Sequence, residues 1–216
     1  LQPGIVVDGT ILVGENEEGV PASTNGCEGQ TLVDAGGRID IDPLGIRGGA
    51  YAVLLNNAMV SNNNASVPHI TANAWVVPNN ETSQVSAGTY SLTSIEIRGT
   101  IALNTSGGTI EIFLSGPMRL WPGSLVIGAG DARNFRIYSD SDAEIDIQPS
   151  GDFAGLIYAP YSDLVKIRPG NNFYGVVWAD DIQIQPGGVF FVDADLLRYD
   201  AFSVFRIDFE AWRQLQ

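Results

Sequence analysis

The sequence is poor in the residues that most chemistry uses. Of its 216 residues one is histidine, His69, one is cysteine, Cys27, and one is lysine, Lys166. A zinc site needs three or four His, Cys or carboxylate ligands, and a Cys/His or Ser/His/Asp centre would have to be built on His69 alone. A single cysteine excludes an internal disulfide framework. Eleven basic residues stand against 25 acidic ones, for a net charge of −14. Nucleic-acid binders release counterions with clustered Lys and Arg, and an anionic membrane surface asks for the same, so neither partner is expected. No run approaches the roughly 18 apolar residues of a membrane span. Leu1 is followed by Gln2, Pro3 and Gly4, not by a basic leader, and the chain reads as a processed product or an excised soluble part.

What is present points to strands and turns. Hydrophobic residues make up 44% and charged residues only 17%, beside 25 Gly and 11 Pro. Charged residues are normally about a quarter of a soluble domain. Their scarcity beside Gly, Asn, Val and Ile leaves few helix formers for exposed faces and predicts an all-β chain.

A repeat gives that class its architecture. The segment Pro149-Ser-Gly-Asp-Phe-Ala-Gly-Leu-Ile-Tyr-Ala159 returns 20 positions later as Pro169-Gly-Asn-Asn-Phe-Tyr-Gly-Val-Val-Trp-Ala179, and a weaker copy runs from Pro186 to Ala194. An alternating pair precedes each Pro: Ile145 with Ile147, Val165 with Ile167, and Ile182 with Ile184. Looser copies stand at Met118 to Gly123 and at Ile39 to Gly45. A period of about 20 residues is the mark of a solenoid. The alternation sends two apolar side chains inward and the Asp, Gln, Lys or Arg between them to solvent, and the Pro-Gly that follows turns the chain.

The expected fold is therefore a single-stranded parallel β-helix. Its core ladders are Phe153, Phe173 and Phe190, and Ile147, Ile167 and Ile184. Residues 1–90 form an irregular cap, early coils or a small subdomain, residues 91–195 the coils, and residues 196–216 a strand or short helix packed on one face. Within the cap, Ile5 to Val13 reads as strand, turn and strand about Asp8-Gly9, and Glu15 to Gln30 as a polar loop holding Cys27.

The second strand of each coil carries a further expectation. With Phe153, Gly155, Ile157 and Ala159 inward, Leu156 and Tyr158 point outward, as do Tyr174, Val176 and Trp178 one coil later and Phe191 beyond them. Such an apolar outer face is larger than a monomer usually exposes. It is covered either by the tail Phe205 to Ala211 or by a second protomer or appendage subunit.

These coils carry a resemblance. From about Ser91 to Asp195, and above all at Phe153-Ala-Gly-Leu-Ile-Tyr-Ala-Pro160 and Phe173-Tyr-Gly-Val-Val-Trp-Ala179, the chain resembles the C-terminal β-solenoid domain of PilX-like type IV pilus-assembly proteins. The ending Phe209-Glu-Ala-Trp212-Arg213-Gln-Leu215 is similar to the family's short Trp-Arg close. The resemblance implies a pilus-linked, extracellular or cell-surface role without catalysis, with the same chain or appendage subunits as partners. The family's N-terminal apolar anchor helix is not found within these residues.

Other chemistry is thin. Asp140 with Asp142, and Asp180 with Asp181, supply oxygen ligands of the kind calcium takes, without an EF-hand or glycine-rich calcium repeat. Asp180 and Asp181 lie near Tyr161 and Trp178, a setting that suits a glycan, but neighbouring Asp residues on a strand point apart and glycoside cleavage needs two facing carboxyls. His69 reads as structural and Cys27 as an inert thiol. Asn64, Asn80 and Asn104 begin Asn-x-Ser/Thr triplets, acceptors only in a source that glycosylates them. No enzyme activity and no required cofactor are expected. The other readings are a polymer-forming solenoid resembling bactofilins and a carbohydrate-binding or polysaccharide-cleaving β-helix.

Overall fold

The computed structural model describes residues 44–196 apart from 129, 169, 171, 186–188 and 194–195, together with the strand segments 7–8, 11–13 and 31–33. Strands make up 48% of the residues, and parallel sheets stack as a β-solenoid of about six turns with little helix.

Each turn begins on a first face, built of Ala74–Val77, Ser94–Ile97, Met118–Leu120, Ile145–Ile147, Val165–Ile167 and Ile182–Ile184. A second face holds Thr82–Ser86, Thr100–Asn104 and Leu125–Ile127. The third holds Gly88–Leu92, Ile110–Leu114, Phe135–Ser139, Phe153–Ala159, Asn172–Ala179 and Val189–Val192. Val77, Ile97, Leu120, Ile147, Ile167 and Ile184 stand in register on the first face, so successive turns take 20, 23, 27, 20 and 17 residues.

The differences in length sit at the corners. Among the described residues only the first three turns have a second-face strand; in the fourth, Pro149-Ser-Gly takes its place, with the Ser150 N–H donating to the Ser124 carbonyl at 2.9 Å. The longest turns carry inserted corners as well. Gly128 to Asn134, which ends in the 3-10 turn Ala132–Asn134, folds back over the outside of the third face, where it packs on Phe153–Ala159 and Asn172–Ala179.

Inside, like stacks on like, because equivalent positions of neighbouring coils sit one strand spacing apart, about 4.8 Å. Phe153, Phe173 and Phe190 form a stacked ring ladder with centroid separations of 5.2 and 4.5 Å, and Phe135, two positions out of register, meets Phe153 at 5.9 Å in a tilted contact. Ile147 and Ile167 are fully buried beside it, and Ile184, in the last turn, is partly buried. Gly175 opposes Gly155 with φ +146°, and a Cβ there would lie 1.9 Å from the Gly155 carbonyl oxygen. Only glycine fits both the angle and the approach.

The first turn is closed by a cap. An α-helix, α1, spans Ala50–Val60, a 3-10 turn Asn64–Ser66 follows, and Ile70–Thr71 pairs antiparallel with Ala74–Val77. Asn63 and Asn64 then take the place of a strand on the edge of Gly88–Leu92. The Asn63 N–H donates to the Thr89 carbonyl at 2.8 Å, and the Thr89 N–H donates to Asn63 Oδ1 at 3.0 Å. Asn64 Nδ2 donates to the Ser91 carbonyl at 2.6 Å, and its Oδ1 accepts from the Ser91 N–H at 3.2 Å. Buried in this work, Asn64 is no glycan acceptor.

At the other end Val7–Asp8 joins the third face in parallel beyond Val189–Val192, with Val7 opposite Phe190. Ile11–Val13 pairs in parallel with Thr31–Val33. Strands thus stand on both sides of Asp8-Gly9, and they pair with different partners, not with each other. Cys27, the copy at Ile39 to Pro43 and the tail from residue 197 lie outside the described residues.

Candidate functional site

Among the described residues, the outer side of the third face gathers a row of aromatic side chains. Alternation sends every second residue of each strand outward, and the parallel register aligns them in rows. Phe113, Tyr138, Tyr158 and Trp178 form one such row. Phe113 and Tyr138 stack at 5.4 Å between ring centroids, and Tyr138 and Tyr158 lie 6.5 Å apart.

This row is covered by the chain itself. Leu44, Ile46 and Ala58 of the cap bury against Phe113, Tyr138, Leu156, Tyr158 and Val176, with Tyr51 and Leu55 packed beside them. The Tyr51 ring meets Tyr138 at 5.0 Å. The Leu44 N–H donates to the Tyr158 hydroxyl at 3.1 Å. Arg47 donates from its guanidinium to the Asp140 carbonyl at 2.9 and 2.6 Å and lies 3.8 Å over the Tyr161 ring. Burial drives the Tyr138 hydroxyl far above its ordinary pKa and also pushes the Asp140 carboxyl up, against the pull of Arg47.

The expected interface is corrected accordingly. Leu156, Tyr158 and Val176 are 1%, 0% and 6% exposed, so they serve intramolecular packing. Trp178 is half-buried at the end of its row. Only Tyr174 and Phe191, at 37% and 38%, present substantial surface. The tail named as the alternative cover lies outside the described residues, and the cover observed is α1 with the segment leading into it.

Tyr174 and Phe191 stand side by side in register, with centroids 5.0 Å apart and planes 6° from parallel. They form one wall of an open groove of about 450 Å³. The folded-back corner supplies the opposite wall with Asp131 and Arg133, and Asp193 stands at the strand end. Arg133 grips Asp131 through Nε at 2.9 and 3.0 Å and through its terminal nitrogen at 2.5 Å. That grip holds the Asp131 carboxyl below its ordinary range.

The other candidates disperse. Asp180 and Asp181 are both exposed in the bend between the fifth and sixth turns, and Asp140 and Asp142 lie in the corner after Phe135–Ser139. Among the described residues no three His, Cys, Asp or Glu side chains gather into a metal-holding group. His69 Nε2 lies 2.7 Å from Glu81 Oε2. The outward row of the first face runs Glu96, Arg119, Asp146 and Lys166 in register, with charges of alternating sign. Arg119 reaches Asp146 at 3.5 Å, and Lys166 reaches Glu144 at 2.8 Å.

One family model matches, described as a domain of unknown function (DUF7305), over residues 123–199. The match takes in the groove and the last three turns and leaves out the cap. No curated protein and no solved structure matches the chain. Among the described residues no helix is long and apolar enough to cross a membrane.

Proposed function

We propose that the chain is a non-enzymatic structural or adhesive module of a bacterial pilus or cell-surface filament, working outside the cell among subunits of its own kind or of the appendage. The observation that carries this reading is how the solenoid ends. Asn63 and Asn64 occupy one edge of the third face, so coils do not add end to end there, while Val7–Asp8 forms the last described strand at the other end. The result is a rod guarded at one end that presents its sides.

Two features support the location. The Phe153 to Pro160 and Phe173 to Ala179 phrases, on which the resemblance to PilX-like pilus proteins rests, lie in register on adjacent strands. The net charge of −14, balanced on the first face by its alternating row, suits a surface that must stay soluble among anionic polymers. The exposed apolar side of α1, with Val53, Leu54, Met59 and Val60, is the surface on which a neighbouring subunit docks in this reading.

One observation favours a bactofilin-like polymer instead. Ile182–Ile184 ends the first face, and among the described residues no strand pairs beyond it. Negative-stain microscopy of the purified chain separates the two. Discrete short particles fit a module that needs its appendage; long filaments of the chain alone fit a polymer.

A further inference from the structure

We propose that Asn104 is a glycan attachment site, its Nδ2 taking a sugar from a donor activated at the anomeric carbon as a diphosphate. The chain carries Asn-x-Ser/Thr triplets at Asn64-Ala-Ser66, Asn80-Glu-Thr82 and Asn104-Thr-Ser106, and the fold sets them in different surroundings. Asn64 is buried, with both ends of its amide bonded to Ser91. Asn80 is exposed, but its triplet is fixed on both sides of Glu81: the Glu81 N–H donates to the Pro78 carbonyl at 3.3 Å, and the Glu81 carbonyl accepts from the Thr100 N–H at 2.8 Å.

Asn104 is both exposed and free to react. It ends the second-face strand Thr100–Asn104, where alternation turns Ile101 and Leu103 inward and Asn104 outward. The corner beyond it is open, since even a Cβ added at Gly107 or Gly108 would have only Ala87 within 4 Å, and a transferase has room to approach. Asn104 Oδ1 accepts from the Ser106 N–H at 3.2 Å and from the Ser106 hydroxyl at 2.7 Å. The hydroxyl that the triplet requires therefore already lies on the acceptor amide. Both bonds draw electron density toward Oδ1 and make the Nδ2 protons more acidic, which matters because an amide nitrogen is a poor nucleophile. Among the described residues Nδ2 itself has no acceptor. In the transfer, Nδ2 bonds to C1 of the sugar, the C1–O bond breaks, the diphosphate leaves with the electron pair, and Nδ2 gives up one proton to a base of the transferase.

The surroundings suit a sugar chain. The outward neighbours are small or polar, with Ser86 opposite Asn104 and Gln84 opposite Ala102, and beyond them Leu125 and Ile127 stand 38% and 50% exposed. A glycan is bulky and solubilising, and one rooted at Asn104 lies over this apolar pair.

This inference is independent of the module reading. Its test is mass spectrometry of tryptic peptides from the protein purified from its source organism. The peptide Gly99 to Arg119, which contains Asn104 as its one asparagine, is expected to be heavier by one or more sugar residues, while Asn64 and Asn80 stay bare. Asn104→Gln and Ser106→Ala, each expressed in the same organism, abolish the added mass, and Ser106→Thr keeps it. Circular dichroism spectra of all three variants match the unaltered chain, as expected for changes at an exposed corner. Gly99 to Arg119 at its unmodified mass, an addition that survives Asn104→Gln and so sits on a hydroxyl, or an addition that Ser106→Ala leaves in place overturns the proposal.

Discussion

The Leu44 backbone N–H donates to the Tyr158 hydroxyl, joining positions 114 residues apart. This bond ties the cap of the first turn to the fourth turn, across the aromatic row it covers. In a solenoid, where repeats touch mainly their neighbours, this bond is part of a long-range clamp together with Arg47 on Asp140 and Tyr161. The clamp also explains why an apolar outer face exists at all: it is a second core, filled by the chain's own segment from Leu44 to Ala58.

Tyr158→Phe removes the acceptor and leaves a buried N–H unpaired. The expected cost is about 2 kcal/mol, mostly the desolvation of the orphaned donor. Urea denaturation followed by circular dichroism measures it, and an unchanged midpoint would count against the clamp.

Gly175→Ala meets two obstacles together, a φ of +146° and a backbone oxygen 1.9 Å from the new Cβ. The strand must shift or the turn must open, at a cost of about 3 kcal/mol or more. Expression in inclusion bodies, or a large fall in Tm, is expected.

Asn64→Ala strips the carbonyl and N–H of Ser91 of their side-chain partners. A loss of about 2–3 kcal/mol is expected, together with concentration-dependent association through the exposed strand edge. Light scattering after size exclusion detects the association; a stable monomer would show that the Asn pair is not an edge guard.

Asp140 gives a pH signature. Burial raises its folded pKa above the ordinary 3.8. The folded state thus binds the proton more tightly than the unfolded chain, so the stability lost to its ionisation is absent at low pH and present in full at neutral pH. Asp140→Asn should raise Tm at pH 7, and the gain should vanish as pH falls below the ordinary carboxylate pKa. A gain independent of pH would contradict the burial argument.

Much of this fold was readable along the chain, and the reasons differ by element. Ile147, Ile167 and Ile184 recur after 20 and 17 residues, each followed by a Pro corner, so their repeat shows along the chain. Their counterparts Val77, Ile97 and Leu120 drift, since the corners at Thr105 to Thr109 and Gly128 to Asn134 lengthen without disturbing the register. The apolar outer row was equally plain from Leu156, Tyr158 and Trp178. Its cover was not, although Tyr51, Leu55 and Ala58 stand at i, i+4 and i+7 in a run free of Gly and Pro. Helical spacing over eleven residues without a charged face gives little contrast between sides. Asn63 and Asn64 had no signal at all, because a side chain that imitates a strand looks in sequence like any polar loop. For the groove, Tyr174 and Phe191 were singled out with the rest of their face, whereas Asp131 and Arg133 come to it only through the folded-back corner, which no local pattern announces.

The most direct test of the central claim is gold labelling of intact, unpermeabilised cells of the source organism, using antibodies raised against the purified chain. The account predicts gold along surface filaments, abolished when Leu54→Asp and Met59→Asp are introduced together on the exposed side of α1 while the secreted chain remains folded. Gold confined to the cell interior after permeabilisation would contradict it.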